Sequence, residues 1–226
     1  MSTLVVKGNA SGSGTITVEG PNTNSNFTVS IPAATTTLVG SDTTDTLTNK
    51  SIAATQLTGT IAAARLPVGS VVQVVSTEKT DTFSTTSNSY TDVTGLSVSI
   101  TPTSSSSKIL VLTQINGTQP ISGSSGTGRG YLKLLRGSTA IDAGAAAGSR
   151  TPALGGFSAA HETISSSTVT GIYLDSPATT ASTTYKIQLA MSAGSGTAYI
   201  NRTSLDEDGS AQIRMASTIT VLEITA

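Results

Sequence analysis

The single histidine, His161, stands beside Glu162 after a run of small residues, Gly155-Gly156-Phe157-Ser158-Ala159-Ala160. An imidazole supports hydrolysis only when a carboxylate orients it toward one activated Ser. No G-x-S-x-G elbow supplies that Ser, and Ser is so abundant that nearness to His161 carries no information. His161 therefore reads as a surface or loop-anchoring residue. The chain has no HExxH pair, no second His to complete a zinc site and no Walker loop. Gly126-Thr127-Gly128-Arg129-Gly130 has the glycines of a phosphate cradle. Tyr131 onward alternates as a strand, however, with no helix N-terminus to hold an anion. It reads as a hairpin lead-in.

One carboxylate cluster remains, Asp206-Glu207-Asp208-Gly209. Asp206 and Asp208 before a Gly resemble the opening of a calcium loop, but the bidentate Glu that closes such a loop is missing. An exposed acidic turn accounts for them equally, so they stay weak metal candidates and no cofactor is expected. Other carboxylates are scattered, and none proposes a glycosidase pair. The expectation is that the chain is not an enzyme.

Composition narrows the classes further. Of 226 residues about a third are Ser or Thr, 22 are Gly, and Trp and Cys are absent. Charged residues are 11%, under half the usual share. Zero Cys excludes disulfides, thiolate metal sites and thiol nucleophiles. With 12 basic against 13 acidic residues and no Lys/Arg cluster, there is no electrostatic footprint for nucleic acid or an anionic membrane. No apolar run is long enough to span a bilayer. The N-terminus, MSTLVVKGNASGSG, lacks the apolar stretch of a secretory signal, so synthesis in a cytoplasm is expected.

The elements that must position any site are strands. Apolar residues alternate with Ser and Thr over short stretches, as in Leu96-Ser97-Val98-Ser99-Ile100. In Tyr185 to Met191, the residues Tyr185, Ile187, Leu189 and Met191 share one face. That pattern predicts a strand with one side on a core and one in water. Lys108 to Leu112 is apolar on both faces, which predicts a central strand or one whose outer face meets another subunit. Turn residues recur at short intervals, including Asn116-Gly117, Arg136-Gly137-Ser138 and Asp208-Gly209. About ten strands fit between Val71 and Ala226. The expected fold is all-β, a jelly-roll-like sandwich head at 70–226.

The first 69 residues differ. Short strands are plausible at Leu4 to Val6, Thr15 to Val18 and Phe27 to Ile31, and residues 1–40 read as an anchoring segment. Residues 41–69 read as a neck. Ser41 to Lys50 is too polar to bury, and Ile52 to Pro67 is apolar only at Ile52, Leu57, Ile61 and Leu66. This stretch is either one or two helical turns broken at Gly59 or an extended segment. Ordering each residue costs about 1–2 kcal/mol, which so few apolar groups cannot offset alone. Wrapping around copies of itself would. Leu57, Ile61, Leu66, Leu110 and Leu112 are the expected contacts of a homotrimer.

Two stretches carry a resemblance. One is KGNASGSGTITVEGPNTNSNFTVSIPAATTTLVG from Lys7 to Gly40, with LTNKSI at Leu47 to Ile52 and TGTIAAARLP at Thr58 to Pro67. The other runs from Tyr90 to Pro102 into Ser107 to Val111, with Tyr173 to Pro177, Thr184 to Gln188 and Ser217 to Glu223-Ile224. Together they resemble tail-fibre proteins of tailed bacteriophages, of the marine and cyanobacterial type. The resemblance implies a homotrimeric virion fibre with a β-sandwich head, and implies no catalytic residue. The chain lacks the extended repeat shaft of long fibres.

The function expected is host-surface attachment by a short trimeric tail fibre on the virion exterior. Residues 1–40 would dock on another virion protein, and the head would meet a cell-surface glycan or protein. The alternative is a capsid decoration or head-fibre protein with a mainly structural or weakly adhesive role. The contact is expected on Asp142 to Glu162, about twenty residues without a strand period. Arg150, Phe157 and His161 there would give a glycan a cation, a stacking ring and a donor.

Overall fold

A computed structural model describes residues 11–14, 24, 26, 51, 59, 61–120, 129–157, 159–160, 165–192 and 196–226. The chain divides into two units, Met1–Thr58 and Gly59–Ala226. The strands expected before residue 40 and the side chain of Leu57 lie outside the described residues.

The second unit is all-β, with a 3-10 turn at Ala63–Arg65 as its helical element among the described residues. Its strands are β1 Val71–Lys79, β2 Phe83–Thr85, β3 Thr91–Ile100, β4 Lys108–Pro120, β5 Gly130–Arg136 and β6 Thr139–Asp142. They continue as β7 Gly155–Phe157, β8 Ala159–Ala160, β9 Ser167–Asp175, β10 Thr183–Met191, β11 Ala198–Ile200 and β12 Ser217–Ile224.

Two sheets result. The first runs β1-β12-β4-β11-β2, with β9 pairing along the other side of β4 and β8 at its end. The second runs β3-β10-β5-β6, with β7 also on β5. The pairs are antiparallel except the short β4–β8 pair. Alternation explains the β-sandwich-like arrangement. Ile109, Val111 and Ile115 of β4, with Ile219 and Val221 of β12, point one way. They meet Leu96, Val98 and Ile100 of β3, Leu132 and Leu134 of β5, and Tyr185, Ile187 and Leu189 of β10 in one core. Burying a side chain of this size contributes about 1.5–3 kcal/mol.

Buried polar groups such as Asp175 and Asn201 are paired, because an unpaired one costs about 1–3 kcal/mol. Arg136 Nη1 donates to both Asp175 oxygens at 2.8 Å, and the Tyr185 hydroxyl donates to Asp175 Oδ2 at 2.7 Å. Burial and then that Asp175 bond push the Tyr185 phenol pKa up, so it stays a donor. Asn201, in the left-handed region at φ 62, donates to the Lys79 and Asp81 carbonyls and accepts from Ser217 Oγ.

Candidate functional site

The region expected to contact a partner is not a bare loop. β7 and β8 run through it, and Ala147 and Arg150 form a bridge. Phe157 ends β7 and is 0% exposed, which corrects its assignment as a receptor-contact ring. Its ring fills the core beside Gly117 and Gly130. A Cβ on Gly117 would lie 2.6 Å from Phe157 Cε2 and would collide with the Tyr199 carbonyl, so the chain keeps Gly there. Arg150 is exposed and donates from Nη1 to the Ala147 carbonyl at 3.3 Å. His161 lies outside the described residues. Arg150 and Phe157 therefore do not share an outward surface.

The acidic turn is also rearranged. Asp206 accepts from Arg202 Nη1 at 3.1 Å and Arg214 Nη2 at 2.6 Å, so two guanidinia neutralise the carboxylate a cation would need. Arg202 also lies over the Tyr199 ring, 4.4 Å from its centre. Asp206 is thus committed to two guanidinia, and Asp208 is an exposed turn residue. Among the described residues no three His, Cys, Asp or Glu side chains converge to hold an ion.

Residues 59–69, expected in the neck, belong to the same unit as the head. Gly69 N donates to the Thr225 carbonyl and Thr225 N to the Ser70 carbonyl, both at 2.9 Å, tying the turn before β1 to the residue after β12. Ile61 is 51% exposed. Leu66 is half-buried, beside a cavity of about 470 Å³ shared with Val68, Thr103, Ser107 and Ala226. Next to it, Glu223 is buried and accepts from Gln73 Nε2 at 2.6 Å and from Thr103 N and Oγ1 at 2.7 Å. Burial alone would raise its pKa, but hydrogen bonds from Ser107, Gln73 and Thr103 outweigh that and hold it below the ordinary value.

The two outward faces of the sandwich differ in chemistry. On the first sheet Val74, Leu222, Leu110 and Leu174 sit side by side across β1, β12, β4 and β9. In the next row Leu112 lies beside Ile172, with Thr220 and Ser76 completing it. Ile172 is 75% exposed, and Leu174 and Val74 are each 57% exposed. Strand and row spacings of about 4.8 and 6.8 Å make this face on the order of 300 Å². Leu110 and Leu112 point outward there, half-buried by their neighbours.

The second sheet turns polar and aromatic groups outward. Asp92, Gln188 and Lys133 are in register across β3, β10 and β5. Ala190 pairs with Tyr131, and Tyr131 with Gly156. Asp92 accepts from Lys186 Nζ and Gln188 Nε2, both at 2.7 Å, and those bonds in that order lower its pKa. Lys133 Nζ lies 4.0 Å from the centre of the Tyr90 ring, whose hydroxyl donates to the Pro152 carbonyl at 3.4 Å. Burial, then the nearby Tyr131 phenol, raises the Tyr90 pKa. Sequence reasoning missed this cluster because Tyr90, Lys133 and Gln188 are far apart in the chain. The alternation of Tyr131 and Lys133 on β5 was the one local signal.

Among the described residues no helix is long and apolar enough to cross a membrane. Compared with known proteins, the chain matches no family model and no curated sequence.

Proposed function

We propose that this chain is a structural protein of a bacteriophage virion, a short homotrimeric tail fibre with a jelly-roll-like head that contacts the host surface. The observation carrying the reading is the apolar face of Val74, Leu222, Leu110, Leu174, Leu112 and Ile172. A patch of this size is within what a single globular chain exposes, and such patches are often functional. The face carries no charge in its two central rows, which suits copies of the same chain packed about an axis. It provides under half of the roughly 800 Å² that a standard interface buries per partner. The remainder is assigned to the neck, where Ile61 and Val68 are exposed.

The tail-fibre resemblance of the N-terminal and head segments supports the same assignment, and the chain is given no catalytic role. Residues 1–40 are the docking segment on another virion protein. The test is position and competition on whole particles. Antibody to the head should label tail tips of intact virions, and purified protein should slow adsorption. Labelling spread over the capsid, with no effect on adsorption, would replace this reading by capsid decoration.

A further inference from the structure

The outward face of the second sheet has the elements of a saccharide site. β5 presents Tyr131 and Lys133 outward, and the backbone pairing of Arg129 with Ser192 extends that ladder by one residue. Alternation puts Arg129, Tyr131 and Lys133 on one side of the strand. Opposite Tyr131 stand Ala190 and the exposed Gly156, so no bulky side chain rises beside the ring on either neighbouring strand. A Cβ at Gly156 would approach Tyr131 Cδ1 to 3.2 Å and the Gly130 carbonyl to 2.7 Å. Tyr131 is half-buried and Ala190 beside it is 2% exposed, so only part of the ring meets solvent.

The polar groups around it are pre-positioned. Lys186 and Gln188 fix the Asp92 carboxylate, which keeps lone pairs free to accept from sugar hydroxyls. Among the described residues neither Arg129 nor Lys133 is in an ion pair, unlike Lys79, Arg136, Lys186, Arg202 and Arg214. Lys133 is instead held over the Tyr90 ring. Among the described residues, two cations without carboxylate partners thus flank an aromatic ring, on a chain whose net charge is -1. Charge complementarity calls for an anion beside a ring-stacking body. Three cations around one carboxylate are too few for a polyphosphate track.

We propose that this face binds an acidic saccharide, with Tyr131 stacking on the sugar ring and Lys133 and Arg129 pairing with its carboxylate. Asp92 and Gln188 hold its hydroxyls. The inference rests on the fibre reading only in taking the ligand from a host surface. Three sites per trimer would raise a modest affinity by avidity.

Titration of the full-length protein with a galacturonate hexasaccharide and with sialyllactose tests it, against maltohexaose and an oligothymidylate. At least one acidic sugar should bind saturably. Lys133→Met should weaken it about tenfold while leaving any maltohexaose binding unchanged. Tyr131→Ala should weaken acidic and neutral sugars alike, with the melting temperature confirming the fold. Binding to neither acidic sugar overturns the site, as does binding unchanged by both variants or equalled by maltohexaose or oligothymidylate. The mass of the same sample separates the two readings. A trimer that ignores acidic sugars removes this site and leaves the fibre, whereas a monomer that binds them removes the fibre and leaves the site.

Discussion

The two outward faces of the sandwich are built from the same strand geometry and carry opposite chemistry. The first sheet exposes Ile172, Leu174 and Val74 across three strands, with Leu110, Leu112 and Leu222 between them. The second exposes Asp92, Lys186, Gln188 and Lys133, joined by hydrogen bonds and a cation–π contact. A face meant for water is polar in alternate positions, as the second sheet is at Asp92, Lys186, Gln188 and Lys133, while Leu135 and Ala190 on the same side are buried. On the first sheet the alternation fails at Leu110 and Leu112 of β4 and Ile172 and Leu174 of β9, where the outward residues are as apolar as the inward ones. That failure is how a sequence records a second packing surface. The charges are at the rim: Lys108 bonds Ser176 at one end of the apolar rows, and Glu78 lies at the other.

The largest effect should come from removing the strand on which the first face and the core both depend. β12 lies between β1 and β4, buries Ile219 and Val221 and presents Leu222 outward. Deleting residues 219–226 unpairs both neighbours and opens the core, so the product should be insoluble. A soluble truncation with a cooperative melt would show that the strand is peripheral.

Next is a change that separates the faces. Ile172→Asp with Leu174→Asp puts two charges on the first face at positions already exposed in the single chain. Light scattering should show the trimer dissociating, while circular dichroism keeps the strand signal. The paired change Lys133→Met and Lys186→Met on the second face should leave the oligomer intact. If both pairs act alike, the contrast between the faces has no meaning for assembly.

A core substitution gives a third expectation. Phe157→Ala should cost about 3–5 kcal/mol, read as a lower urea midpoint, because the ring fills space that Gly117 and Gly130 cannot. A cost below about 1 kcal/mol would mean that the ring is at the surface, as the sequence suggested.

The smallest effects are electrostatic. The folded-state pKa of Glu223 is lowered from 4.5, so as pH falls the unfolded chain takes up this proton first. Its contribution is complete above about that value and disappears as pH drops through the lowered folded pKa. Urea midpoints at neutral pH and near pH 3 should differ more for wild type than for Glu223→Gln. Asp92 shifts in the same direction but is exposed, so Asp92→Asn should change stability by under 1 kcal/mol. An Asp92 effect exceeding that of Glu223 would place the stabilising network on the wrong face.

Much of the sandwich was legible because alternation is a local signal. Tyr185, Ile187, Leu189 and Met191 were read onto one face, and all four are buried. The terminal strand is paired on both sides. The two-faced run from Lys108 to Leu112 was also visible, since it needs only five consecutive residues. Its extension to Ile172, Leu174 and Val74 was not, because it depends on register between distant strands. Phe157 was misread for a different reason. A three-residue strand whose first two residues are glycines shows no period, and the burial of Phe157 is decided by Gly117, forty residues away. The ion pair of Asp206 was not legible either, because Arg214 arrives from eight residues later, across an irregular loop.

The central claim is that the apolar face packs against copies of this chain, and the mass in solution tests it most directly. Light scattering on the full-length protein at micromolar concentration should return three times the 22.6 kDa chain mass. A value of 22.6 kDa under those conditions would contradict the account.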